Sequence, residues 1–249
     1  MNELLTFHDV DYSYHSMQGE THAIDHMSFT VYNQEFLVIV GPSGCGKSTL
    51  LDLIVGQIHP EKGQITGVND SIGYMLQKDH LFEWRTIEKN ILLGLEIQKK
   101  KNRENLALAN ALLKKYDLYD FRQKYPRELS GGLRQRAALI RTLVTSPELL
   151  LLDEPFSALD YQTRLQVADD IGRIIRSEKK TAILVTHDLS EAISMGDRIL
   201  VLSARPAKVV REIRLDFAPS LSSIERRETD AFKRYFSELW KEMNADGTS

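Results

Sequence analysis

A single cysteine, Cys45, among 249 residues excludes an internal disulfide and any metal centre built from several thiolates. Long apolar runs are missing as well. The longest stretch without Asp, Glu, Lys, Arg or His runs from Phe36 to Gly46, well short of the roughly 20 apolar residues a bilayer-spanning helix needs. The chain is therefore not expected to cross a membrane alone. Nor is there a surplus of positive charge: 32 Lys and Arg stand against 35 Asp and Glu, a formal net charge of −3. Sequence-independent hold on a phosphodiester backbone then loses its main driving force, and nucleic acid is not expected as a partner. The opening MNELLTFHDVDYSY has neither a basic leader nor the unbroken apolar segment of a secretory signal, which points to the cytoplasm. Low-complexity tracts and internal repeats are also lacking. What is present is an ordinary globular composition, 42% hydrophobic and 27% charged, with length for one substantial core and not for two full-size domains.

Hydrophobic spacing sets the organisation. From Leu5 to Val31 apolar residues alternate, most clearly at Met27, Phe29 and Val31, which predicts half-buried antiparallel strands. Phe36 to Val40 is a continuous apolar run that stops at Gly-Pro-Ser-Gly, the pattern of a fully buried strand, with a helix expected from Lys47. Leu149–Leu152, Thr181–Thr186 and Ile199–Leu202 repeat that pattern, and helical stretches lie between the first two, so the core is α/β with a largely parallel sheet. Between about Thr86 and Glu128 no strand is evident; Leu106, Ala109, Leu112, Leu113 and Tyr116 recur at helical spacing, which predicts a helical insertion. The basic cluster Lys99, Lys100, Lys101 and Arg103 reads as solvated surface. Near the end, Ser222 to Glu225 fits a capping box. Phe232, Tyr235, Phe236, Leu239, Trp240 and Met243 then define one apolar helix face, expected to pack on its own domain.

Three clusters carry chemistry. Gly41-Pro42-Ser43-Gly44-Cys45-Gly46-Lys47-Ser48-Thr49 fits G-x-x-x-x-G-K-S/T and stands between a buried strand and a helix. There the glycines let backbone N–H groups face phosphate oxygens, Lys47 reaches the β- and γ-phosphates, and the Ser48 hydroxyl suits Mg²⁺. Leu149 to Leu152 ends in Asp153 and Glu154, and acids at the carboxyl edge of a parallel sheet face the same crevice. Asp153 is the candidate Mg²⁺ ligand, directly or through water, and Glu154 the group that orients and deprotonates an attacking water. Leu129-Ser130-Gly131-Gly132-Leu133 opens another helix where a hydroxyl and N–H groups can meet an anion.

With that third cluster the chain resembles the ATP-binding subunit of an ABC transporter, whose signature motif is LSGGQ-like. The resemblance covers nearly the whole chain, with the motifs in the family's order and spacing. It implies a P-loop NTPase (RecA-like) core with an N-terminal antiparallel β subdomain and an inserted helical subdomain, all in one ABC ATPase domain spanning 1–249. Residues 1–85 would form the β subdomain and the phosphate-loop part of the core, 86–128 the helical subdomain, 129–213 the signature motif and the rest of the core, and 214–249 a helical extension. By the same resemblance, Tyr14 stacks on adenine, Gln77 links Mg²⁺ and water to the membrane partner, Ser157 to Asp160 contact a second subunit, and His187 contacts the γ-phosphate. ATP would bind at Tyr14, at Gly41 through Thr49 and at Ser130, Gly131 and Gly132 of the opposite subunit. Mg²⁺ would bind at Ser48, Gln77 and Asp153, and Lys47, Gln77, Glu154 and His187 would carry hydrolysis.

Leu81-Phe82-Glu83-Trp84-Arg85-Thr86 and Ser203-Ala204-Arg205-Pro206-Ala207-Lys208-Val209 are most similar to the nitrate, sulfonate and taurine importer group. Glu83 departs from that group's frequent Pro, and Gln34 from a common Gly. The resemblance implies a head-to-tail dimer at the cytoplasmic face of the membrane, peripheral, driving separate permease subunits and served indirectly by a solute-binding protein. Two alternatives share the phosphate loop. A soluble ABC ATPase of DNA repair or translation usually carries long coiled coils or paired cassettes, absent from this sequence; a P-loop kinase would not need the signature motif or the insertion.

Overall fold

In the computed structural model, which describes residues 2–17, 19–67 and 71–245, the alternating N-terminal residues turn one face inward. β1 (Glu3–Ser16) and β2 (Gly19–Tyr32) pair antiparallel, with Leu5 opposite Val31 and Phe7 opposite Phe29. The last two rings stack at 4.6 Å. β3 (Phe36–Val40) is buried at every position and leads through the phosphate loop into α1 (Lys47–Ile54). β4 (Lys62–Gly67) then pairs with the free edge of β1. Its sequence does not predict a strand, because only Ile65 is even partly buried.

β5 (Ile72–Met75) precedes a run of helices: α2 (Ile87–Ile91), α3 (Leu93–Ile97), α4 (Arg103–Lys115) and α5 (Gly131–Leu143). Ala109, Leu112 and Leu113 are the buried residues of α4, as their spacing predicts. The remaining order is β6 (Leu149–Asp153), α6 (Tyr161–Ser177), β7 (Thr181–Thr186), α7 (Leu189–Met195) and β8 (Arg198–Leu202). β9 (Val209–Arg214), α8 (Ser223–Arg227) and α9 (Asp230–Ala245) follow. Side chains cap several of these starts: Ser130 for α5, Asp160 for α6, Asp188 for α7, and a Ser222–Glu225 capping box for α8.

The larger sheet runs β5-β6-β7-β3-β8-β9, parallel throughout except for β9, which pairs antiparallel with β8. Its strands are apolar on both sides because both sides are covered. Phe36, Val38, Val40, Leu150, Leu152, Leu184 and Val201 face the helical layer; Leu37, Ile39, Leu149, Leu151, Val185 and Leu200 face α1 and the antiparallel sheet. The architecture is that of a P-loop NTPase with an N-terminal antiparallel sheet.

A buried ion pair locks the entry to β3. Arg198 donates from Nε to Glu35 Oε1 at 2.7 Å and from Nη2 to Glu35 Oε2 at 2.9 Å, with Glu212 Oε2 3.0 Å from Nη1. Gln34 just before it has φ +62°, the left-handed region, which accounts for the frequent Gly at that position in similar chains. At the other end of the chain, Tyr235 and Leu239 of α9 enter the main core, with Phe232, Phe236 and Met243 packed on it. Trp240 departs from that expectation: it stacks on Phe236 at 6.1 Å but is 57% exposed, at the margin of the apolar face.

Candidate nucleotide-binding site

Parallel pairing brings the carboxyl ends of four strands to one rim. Val40 is level with Thr186, Asp153 with Val185, and Met75 with Leu152. The loop after β3, the acids at the end of β6, His187 after β7 and Gln77 after β5 therefore start from one edge of the sheet.

The phosphate loop relies on two left-handed glycines. Gly44 has φ +75° and Gly46 φ +130°, and a Cβ on Gly46 would stand 3.0 Å from the Ala23 carbonyl oxygen. Lys47 is buried, and its ammonium donates to the carbonyls of Gly41 at 2.8 Å and Pro42 at 2.9 Å, so the loop closes around its own lysine. Cys45 N–H adds a bond to Pro42 O at 3.2 Å. Ser43, Gly44 and Ser48 stay exposed around this core. Thr49 is buried, and its hydroxyl lies 3.0 Å from that of Tyr14. Tyr14 itself is 43% exposed, braced edge-on by Tyr12 at 5.1 Å, with ring surface left to stack on a planar ligand.

Across the rim, burial and the adjacent Glu154 carboxylate hold the Asp153 carboxyl above the usual range, and the Lys47 charge offsets this only in part. The Tyr74 hydroxyl donates to Asp153 Oδ2 at 3.4 Å; burial, then Asp153, pushes that hydroxyl's own pKa upward. Glu154 has φ +43°, fixed by its N–H to Val185 O at 2.9 Å and by Ser157 Oγ donating to its carbonyl at 3.0 Å. Its Oε1 lies 3.1 Å from His187 Nδ1. Two neighbouring carboxylates with too little positive charge, plus the Ser48 hydroxyl, are hard oxygen donors of the kind Mg²⁺ takes. Among the described residues the structure thus groups Tyr14, the 41–49 loop, Asp153, Glu154 and His187.

Gln77 is exposed just beyond β5. Ser130, Gly131 and Gly132 stand apart at the start of α5, where the Ser130 hydroxyl accepts from Leu133 N–H at 3.4 Å. Among the described residues no hydrogen bond joins them to the phosphate loop of the same chain. Three residues around the site have no role assigned from the sequence. Tyr74 reaches Asp153. Arg164 donates to Leu159 O at 3.1 Å and Asp188 Oδ2 at 3.5 Å, tying the 157–160 loop to the cap of α7. Arg205 touches the phosphate loop itself. Their sequence signals are an aromatic in a strand for Tyr74, an arginine near a helix start for Arg164 and the Ser203–Val209 stretch for Arg205, none of which tells what the side chain reaches.

A sequence model of the family described as ABC transporter matches residues 24–157. The taurine import ATP-binding protein TauB of Rhizobium johnstonii is 38% identical, over 90% of this chain and 88% of its own. The formylaminopyrimidine import ATP-binding protein ThiZ of Halalkalibacterium halodurans is 38% identical, over 92% of each. Among solved structures, the dimer of MJ0796, a bacterial ABC transporter cassette, superposes with a TM-score of 0.71 at 29% identity. It covers 86% of this chain and all of that one.

Proposed function

The chain belongs to the ABC transporter family and is an ATPase of an import system. From that premise we propose that it powers uptake of a small solute, of the nitrate, sulfonate or taurine kind, through separate permease subunits. Two copies meet head to tail, each ATP lying between Lys47 and Ser48 of one and Ser130 to Gly132 of the other. Phosphoryl transfer needs chiefly positioning and charge stabilisation, so a site completed across an interface makes hydrolysis depend on closure.

Within each half, the loop amides and Lys47 hold the phosphates, Tyr14 stacks on the base, and Glu154 takes the proton of the attacking water. His187 supports the γ-phosphate. Ser48, Asp153 and Gln77 would hold Mg²⁺, which when bound offsets the charge on the β- and γ-phosphate oxygens. The observation that carries the importer reading is the exposed aromatic pair beside Gln77. Phe82 and Trp84 stack at 4.7 Å with 36% and 75% of their surfaces open, an uncovered apolar step suited to a permease helix. The proposed place is peripheral, on the cytoplasmic face of the membrane, with a solute-binding protein serving the permease from the other side; among the described residues no helix is long and apolar enough to cross a membrane.

Purification of the chain from its native host in mild detergent tests this. Multispanning membrane proteins are expected to accompany it, and Trp84→Ser should release them while leaving ATP binding intact. Recovery with ribosomes or DNA instead would overturn the importer reading. Vesicles holding the recovered complex, offered labelled taurine, an alkanesulfonate or nitrate in turn, would then identify the solute class.

A further inference from the structure

Ser203 to Val209 carries a motif to which the ATPase reading gives no task. In the structure this segment, between β8 and β9, reaches back to the phosphate loop. Arg205, although exposed, donates from Nε at 3.0 Å and from Nη2 at 2.6 Å, both to the carbonyl oxygen of Gly44. The segment is itself held in place. Ser203 N–H donates to Lys208 O at 3.0 Å, and Ser203 Oγ donates to Pro206 O at 2.9 Å. Ala207 bonds to β2 on both sides, N–H to Ala23 O at 2.9 Å and O from Asp25 N–H at 3.0 Å. Lys208 Nζ reaches Asp25 at 3.0 Å. A guanidinium mounted on so fixed a base gives two hydrogen bonds to one carbonyl of the phosphate loop.

We propose that Arg205 is a positioning residue for nucleotide binding, clamping the Gly44–Cys45 peptide from outside so that the loop keeps its phosphate-ready curvature. Gly44 is in the left-handed region with nothing but Arg205 within 4 Å of the place a side chain would occupy, so no packing holds that corner. The peptide whose oxygen Arg205 takes also carries the Cys45 N–H. A carbonyl held by a cation polarises its peptide and strengthens the bond that the same N–H makes to Pro42 O at 3.2 Å, which keeps the loop closed around Lys47. The positive charge adds a favourable field at the phosphates.

This rests on the reading of 41–49 as the phosphate site, and the test separates the two. Arg205→Ala, Arg205→Gln and Lys47→Ala are made in the full chain, and ATP and ADP affinities, kcat and KM are measured. Arg205→Ala is expected to weaken both nucleotides about tenfold and raise KM, with kcat at saturating ATP within about twofold. Arg205→Gln, which restores a donor without charge, should recover part of the loss. Because Cys45 is the sole cysteine and buried, its rate of reaction with a thiol reagent reports loop opening without nucleotide. That rate should rise several-fold in Arg205→Ala and less in Arg205→Gln. If Lys47→Ala loses ATP while Arg205→Ala binds it and shields Cys45 as the parent does, the clamp is overturned and the phosphate site stands. If Lys47→Ala binds ATP normally, both readings fall.

Discussion

His187 Nδ1 lies 3.1 Å from Glu154 Oε1, joining the ends of two neighbouring strands across the rim of the sheet. Glu154 is fixed through its backbone, whereas the imidazole is about half exposed. One contact thus ties the proposed base to the group proposed to meet the γ-phosphate.

Residues in direct contact are not additive. Glu154→Gln should cut kcat by at least about a hundredfold while ATP still binds, and ATP-dependent dimers should accumulate on a sizing column. His187→Ala should also be severe. The double variant is expected to fall no more than a few-fold below the worse single one; losses that simply multiply would show that the contact has no part in turnover.

A shared site has its own signature. Lys47→Ala and Ser130→Arg each damage both sites of a homodimer, whereas a crosslinked heterodimer of the two retains one undamaged composite site. Nucleotide trapping should find ATP held there. Associated heterodimers that trap none would count against a site built from two chains.

Glu191, buried in α7, accepts from Thr186 Oγ1 at 2.7 Å, and burial pushes its carboxyl up to about 7. Being raised from 4.5, it holds a proton between those two values that the unfolded chain has released, so its contribution to stability is full below about pH 4.5 and is lost as pH rises through about 7. Glu191→Gln should flatten that slope and make the chain the more stable of the two at pH 8, by roughly 2–3 kcal/mol in urea unfolding. A parallel pair of pH curves would refute this.

Breaking the Glu35–Arg198 pair leaves a buried guanidinium with only the half-exposed Glu212 as its counter-charge. Glu35→Ala should cost about 3–5 kcal/mol, and Glu35→Gln distinctly less because it still accepts hydrogen bonds. Equal midpoints for the two in denaturant would show that the charge, and not the hydrogen bonding, is what matters.

The central strands were legible because each is an unbroken apolar run with both faces covered, as at Phe36–Val40 and Leu149–Leu152. The phosphate loop and the paired acids were legible because their spacing is local. β4 was not, since an edge strand with one partly buried residue carries no alternation to read. Arg205 at Gly44 and Arg164 at Asp188 depend on where separate segments dock. Glu191 offers no sign in sequence that a glutamate will be enclosed.

The order of strands also sets a schedule for synthesis. β3, which carries the phosphate loop, has both its neighbours in β7 and β8, and the nearer of those begins only at Thr181. A chain leaving the ribosome has thus released its whole glycine-rich motif more than a hundred residues before either flanking strand exists to hold it. Until Thr186 has emerged, the nascent protein carries the letters of a nucleotide site with no shelf to mount them on.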